Sequence, residues 1–222
     1  MKNLIQYFKK TIYLVVIAGV SVASAGSYED FFMAIKQDNA GTIDNLLQRG
    51  FDPNTLDSNG QFGLILALRE ESTKVLDTLI AHPATRVEVR TAQDESPLML
   101  AALKGMPDVC AKLIARDADV NKTGWTPLHY AATGGHLDII HMLLDKHAYI
   151  DAASPNKTTP LMMAARYGTS AAVQALLAAG ADPFLKNSLG MTAIDFARGA
   201  QKPEAVEVLS AAIRARAPKG TW

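Results

Sequence analysis

One cysteine, Cys110, stands in 222 residues, so no intramolecular disulfide can close and stability must come from packing. Charge of one sign is also missing: 22 lysines and arginines balance 22 aspartates and glutamates, which excludes the basic excess that nucleic-acid binding relies on. Aromatic residues are few at 7%, and no apolar run reaches the ~20 residues of a usual membrane span. Beyond residue 25 the chain holds no H-E-x-x-H, C-x-x-C, P-loop, G-x-G-x-x-G or G-x-S-x-G motif, so no catalytic residue, metal site or cofactor is expected. The setting of Cys110 in "MPDVCAKLI" is an apolar helix face, where a buried, inert thiol is expected.

What is present begins with "MKNLIQYFKKTIYLVVIAGVSVASA", residues 1–25. Lys2, Lys9 and Lys10 form a basic start, "TIYLVVIAGV" an apolar centre, and Ala23 and Ala25 the small residues a signal peptidase admits. This reads as a cleavable signal peptide, with an uncleaved anchor helix as the alternative and the only membrane contact. Removing three lysines leaves 19 − 22 = −3, and the remainder is expected in the periplasm or secreted.

The rest repeats. "TPLHYAATGGHLDIIHMLLDKHAYID" from Thr126, "TPLMMAARYGTSAAVQALLAAGADPF" from Thr159 and "TAIDFARGAQKPEAVEVLSAAI" from Thr192 align at 33-residue spacing. Further copies start at Ser96, Phe62 and Glu29, giving spacings of 33, 34, 30, 33 and 33 in chain order. A period in this range signals stacked supersecondary units. In each, a proline such as Pro127 opens a short helix, where its missing N–H costs nothing. Gly135 or Gly168 then permits a tight turn, and Leu137, Ile140, Leu143 and Leu144 give a second helix one apolar face. Neither helix pair buries enough surface alone, so neighbours must share a core. The predicted domain spans 26–215, followed by a short tail at 216–222.

At these residues the chain resembles the ankyrin-repeat family, whose T-P-L-H-x-A signature stands at Thr126 to Ala131, with "AGADP" at 179–183 and "RDADVN" at 116–121 closing other units. The resemblance implies an all-α ankyrin-repeat solenoid of about six helix-turn-helix repeats with short hairpin fingers. Two repeats depart from the pattern. "TRVEVRT" at 85–91 alternates like a short strand or extended finger, and "ADVNKTGW" is three residues short of its neighbours, so its finger should be clipped and Trp125 exposed beside the step. Glu29 and Asp30 replace the Thr-Pro pair at the first repeat, as expected of a capping repeat.

His129, His136, His141 and His147 lie within 19 residues, positions 129–147, and their register separates them. His129 is the signature histidine, for which the resemblance implies a bond to the threonine hydroxyl; Phe32, Ile65, Met99, Met162 and Asp195 hold the same register, so that role reads as dispensable. His136 belongs to the turn before the second helix, and His141 to a solvated helix face. His147 aligns with Gly50, Asp117 and Gly180, which marks a left-handed residue closing the helix. A metal-binding protein or hydrolase built on this cluster is the rival reading.

The resemblance places partner binding on a concave face built of fingers and first helices. Carried over by register, the candidates are Lys104, Trp125, Tyr130, Thr133, Met163, Arg166 and Tyr167, with Glu95, Thr158 and Met191 on the fingers and Leu103 beside Lys104. Trp, Tyr, Arg and Met anchor interfaces through large desolvated contacts. Tyr130 and Met163 could equally serve packing between helices. The expected function is an exported, non-enzymatic, monomeric module that binds a protein and no nucleic acid. Its resemblance to exported bacterial ankyrin proteins implies a protective accessory to a periplasmic enzyme such as a catalase, or an immunity protein against a secreted effector.

Overall fold

The computed structural model describes residues 26–216; the predicted signal peptide and the end of the predicted tail, 217–222, lie outside them. All regular structure among the described residues is helical, with one isolated antiparallel bridge between Leu56 and Phe62. The chain divides into two compact units at Thr85 and Arg86.

The first unit holds α1 (26–36), α2 (Ala40–Gln48), α3 (Gly63–Arg69) and α4 (Thr73–Ala81). Here α2 packs on α4, while Ser72 at the start of α4 donates its hydroxyl to the Ile35 carbonyl at 2.6 Å. Described helix begins three residues before Glu29, so Glu29 and Asp30 lie inside α1 rather than at its start. Aromatic rings fill this end: Phe31 faces Phe51 at 4.7 Å and Phe32 meets Tyr28 edge-on at 4.9 Å. Gly63 admits them, because a Cβ there would sit 2.7 Å from the Phe31 ring.

The second unit carries α5 (Pro97–Leu103), α6 (Pro107–Ala115), α7 (Pro127–Gly134), α8 (Leu137–Asp145), α9 (Pro160–Arg166), α10 (Ser170–Ala178), α11 (Ala193–Gly199) and α12 (Pro203–Arg216). First helices form one row, α5 on α7 on α9 on α11, and second helices another, α6 on α8 on α10 on α12. Leu98, Leu128 and Leu161, the third residue of each signature, are fully buried between the rows, as are Leu113, Ile140, Leu143 and Leu176. Full burial of one such side chain contributes roughly 1.5–3 kcal/mol, so stability accumulates repeat by repeat.

Two glycines expected in equivalent turns act differently. Gly135 is left-handed at φ +73°, a conformation that favours glycine. Gly168 is not; its Cβ would lie 2.3 Å from the Ala132 carbonyl oxygen and 3.0 Å from the Ala164 Cα, so this glycine serves close approach of α7 and α9. At the far end Arg216 donates to the carbonyls of Ala181 and Leu177 at 2.6 and 2.8 Å, satisfying oxygens at the end of α10.

The fingers are turns rather than paired strands. In each of four, a polar residue donates its N–H to the carbonyl four residues on: Asp57 to Gln61, Thr91 to Glu95, Ser154 to Thr158 and Asn187 to Met191. The side chain of that first residue accepts backbone N–H groups from across the turn, a local alternative to strand pairing. The fourth residue of each, Gly60, Asp94, Lys157 or Gly190, takes positive φ. Residues 85–91 form a modified loop and no strand, and their alternation survives as burial: Val87 and Val89 are buried while Arg86 is exposed. With no neighbouring strand offering a ladder among the described residues, the alternation yields a loop with a turn at Val87 and Glu88.

Candidate functional site

A cavity of about 300 Å³ opens in the second unit, lined by Glu95, Leu103, Trp125, Tyr130, Thr133 and Met163. These six residues fall into three pairs of equal register from consecutive repeats. Glu95 and Trp125 each precede the signature Ser or Thr, Tyr130 and Met163 each follow its fourth residue, and Leu103 and Thr133 each stand three positions beyond that. The fold repeats the same three positions every helix pair, so adjacent repeats necessarily bring them side by side.

Trp125 closes one wall. It is half-buried rather than exposed as expected, because its indole packs edge-on to the His129 ring at 5.1 Å and 73°. His129 is fully buried and fixed at both nitrogens. Nδ1 faces the Thr126 backbone N–H at 3.2 Å and its hydroxyl at 2.9 Å, and Nε2 faces the Thr158 carbonyl at 2.9 Å. A backbone N–H can only donate and a carbonyl only accept, so the ring is the neutral tautomer with its proton on Nε2. Burial holds its pKa down at about 4, against smaller raising effects of backbone hydrogen bonds to Thr158 and Ala152.

Thr133 donates its hydroxyl back to the His129 carbonyl at 2.7 Å, which turns its methyl-bearing side chain into a fixed part of the wall. Tyr130 donates its phenol to Glu95 Oε1 at 3.0 Å, and Thr91 donates to Glu95 Oε2 at 3.2 Å. Burial first, then the Glu95 and Asp94 carboxylates, push the Tyr130 phenol above its ordinary pKa, so it remains an O–H donor at every pH of interest. Close by, Lys122 pairs with Asp94, and Arg90 with Glu88 at 2.7 Å and Asp94 at 3.8 Å.

Of the seven residues singled out by register, Trp125, Tyr130, Thr133 and Met163 therefore meet in one cavity. Lys104, Arg166 and Tyr167 do not line it. Lys104 caps the end of α5 and is half-buried. Arg166 and Tyr167 are exposed at the end of α9, with the guanidinium 5.3 Å from the ring centroid. Arg166 nevertheless occupies the Leu103 and Thr133 register one repeat on, so it continues the row. The finger residue Glu95 and helix residue Leu103 complete the lining, and Thr91 behind Glu95 is the contributor sequence reasoning missed. The signal that could have found it is the polar first residue of each finger.

The remaining histidines take separate places. His136 Nε2 donates to the Leu103 carbonyl at 3.0 Å, and its ring covers Gly105 and Gly134, where a Cβ would lie 2.5 and 2.3 Å from ring atoms. His141 is exposed on α8, and His147 is left-handed at φ +62°, like Asp117 at +62° and Gly50 at +85°. Among the described residues no three His, Cys, Asp or Glu side chains converge as metal ligands. The signature register is chemically substituted in three repeats, while at Ile65 the role is dispensed with, since Phe62 before α3 makes no side-chain cap bond. Met99 and Met162 accept the cap N–H through sulfur at 3.4 Å, and Asp195 accepts from both the N–H and hydroxyl of Thr192 at 2.9 and 2.7 Å.

Comparison with known proteins agrees with the repeat fold. A family model described as ankyrin repeats in three copies matches residues 31–123 and 85–153, and one described as ankyrin repeats in many copies matches 149–197. The nuclear factor NF-kappa-B p105 subunit of Gallus gallus is 30% identical over 162 residues, 70% of this chain and 16% of its own length. The ankyrin repeat and KH domain-containing protein mask-1 of Caenorhabditis elegans is 37% identical over 133 residues, 58% of this chain and 5% of its own. The chain thus spans less than a fifth of either relative. The crystal structure of the human ASB11 ankyrin repeat domain superposes with a TM-score of 0.72 at 24% identity, covering 82% of this chain and 81% of that one.

Proposed function

The chain belongs to the ankyrin-repeat family, and from that premise we propose that it is an exported, non-enzymatic module that seats a segment of a protein partner over the Trp125, Tyr130 and Met163 cavity. Ankyrin repeats are protein-interaction modules, and the observation that carries this site is the pairing of registers. Six side chains from consecutive repeats line an open apolar cavity with one polar edge, the composition expected where a partner side chain anchors. Arg166 and Tyr167 extend the same face by one repeat and supply an exposed Arg and aromatic for its rim.

Export rests on the basic, apolar and small-residue zones of residues 1–25, and it places the module in the periplasm or outside the cell. The finer roles, an accessory to a periplasmic enzyme such as a catalase or an immunity protein, follow from resemblance to exported bacterial members; the relatives reported above are animal proteins and speak only for the repeat. Panning random short peptides against the purified chain tests the site. Peptides selected on the wild type should lose about 30-fold or more in affinity with Trp125→Ala, the ~2 kcal/mol of a central aromatic anchor. Undiminished binding by Trp125→Ala and by Met163→Ala would sink the assignment.

A further inference from the structure

The cavity is apolar except at one point, and that point carries a charge. We propose that the partner's anchor is a basic side chain, an arginine or lysine, with its aliphatic stem against Leu103 and Met163, its cationic head against Glu95, and the rings of Trp125 and Tyr130 beside it. This rests on the reading of the cavity as the partner site and deepens it.

Glu95 is half-buried in the cavity wall, and its carboxylate accepts from two neutral hydroxyls, Tyr130 at 3.0 Å and Thr91 at 3.2 Å. Two cations beside it pair with other carboxylates: Lys122 and Arg90 with Asp94, and Arg90 also with Glu88. Glu95 is the only charged residue among the six that line the cavity. Two hydroxyl bonds orient the carboxylate without neutralising it, and each of its oxygens keeps acceptor capacity. A guest that covers the cavity withdraws this charge further from water. A neutral apolar guest then leaves a desolvated, uncompensated anion, which is costly. A guanidinium or ammonium removes that cost and adds charge-assisted hydrogen bonds. The aromatic walls favour the same choice, since Trp and Tyr faces attract a cation within about 6 Å, and a long basic side chain lays its methylenes on apolar surface while its head stays polar. A volume of about 300 Å³ accommodates one such side chain.

The test titrates the purified chain with n-butylguanidinium and with n-butylurea, its neutral planar counterpart, following the Trp125 indole N–H resonance. The expected result is a saturable shift with the guanidinium about 10-fold tighter than the urea, the ~1.4 kcal/mol lower range of a charge-assisted bond. In Glu95→Gln, which keeps an acceptor for Tyr130 and loses only the charge, the two probes should bind alike. In Tyr130→Phe, which keeps the carboxylate, the preference should persist. Equal binding of both probes by the wild type, a preference that survives Glu95→Gln, or no saturable shift at Trp125 would each overturn the proposal. The panning experiment separates this failure from that of the site itself. Peptides that depend on Trp125 but carry a neutral apolar anchor and ignore Glu95→Gln would retain the site and refute the basic anchor.

Discussion

Replacing His129 by methionine should remove one acid-sensitive step from the unfolding of this protein. Two neighbouring repeats already use methionine at this register, Met99 and Met162, with sulfur accepting the cap N–H, so the cap itself survives the change. At neutral pH the variant loses the Nε2 bond to the Thr158 carbonyl, a cost of about 1 kcal/mol. Acid acts in the opposite direction. Burial holds the folded pKa of His129 at about 4, below its ordinary 6.5, so between those values the unfolded chain binds a proton that the native chain does not. Stability contributed by the neutral ring is complete above pH 6.5 and is lost as pH falls towards 4. The loss amounts to about 3 kcal/mol, with a slope approaching ~1.4 kcal/mol per pH unit. Urea unfolding of wild type and His129→Met from pH 7.5 to 4 isolates this, since every other titrating group is common to both. The wild type should be the more stable at neutral pH, the curves should cross at about pH 5.8, and the variant should lead in acid. Parallel curves would show that His129 titrates alike in both states and would refute the account of its burial.

Two further predictions concern packing. Gly168→Ala drives a methyl into the Ala132 carbonyl and the Ala164 backbone and should cost about 1–3 kcal/mol in thermal unfolding, whereas Gly199→Ala, with nothing within 4 Å, should stay within about 0.5 kcal/mol of wild type. Cys110 is fully buried, and burial raises its thiol to about 12; a disulfide reagent at pH 8 should label it only as fast as the protein unfolds, and immediate labelling of the native chain would contradict its placement.

Register made most of the repeat fold legible, because apolar positions recur with the period and each unit must bury the same face. The left-handed turn at His147 followed from its alignment with Gly50 and Gly180, and φ +62° agrees. What could not be read were the consequences of contacts between residues about 30 or more positions apart in neighbouring repeats. The half-burial of Trp125 depends on a histidine whose ring is clamped by Thr158, and the polar edge of the cavity depends on a tyrosine reaching back 35 residues to Glu95. Gly168 looked like a turn glycine because glycine marks both positive φ and close approach, and sequence does not separate the two. The alternation at 85–91 specified which residues face inward but not whether a neighbouring strand would be there to pair.

Hydrogen–deuterium exchange of the chain, free and saturated with the tightest peptide from panning, tests the location of the binding face most directly. The account predicts that protection concentrates in 91–103 and 125–134, the fingers and first helices that supply Glu95, Leu103, Trp125, Tyr130 and Thr133. Protection confined to α8 and α10, or to the first unit, would contradict it.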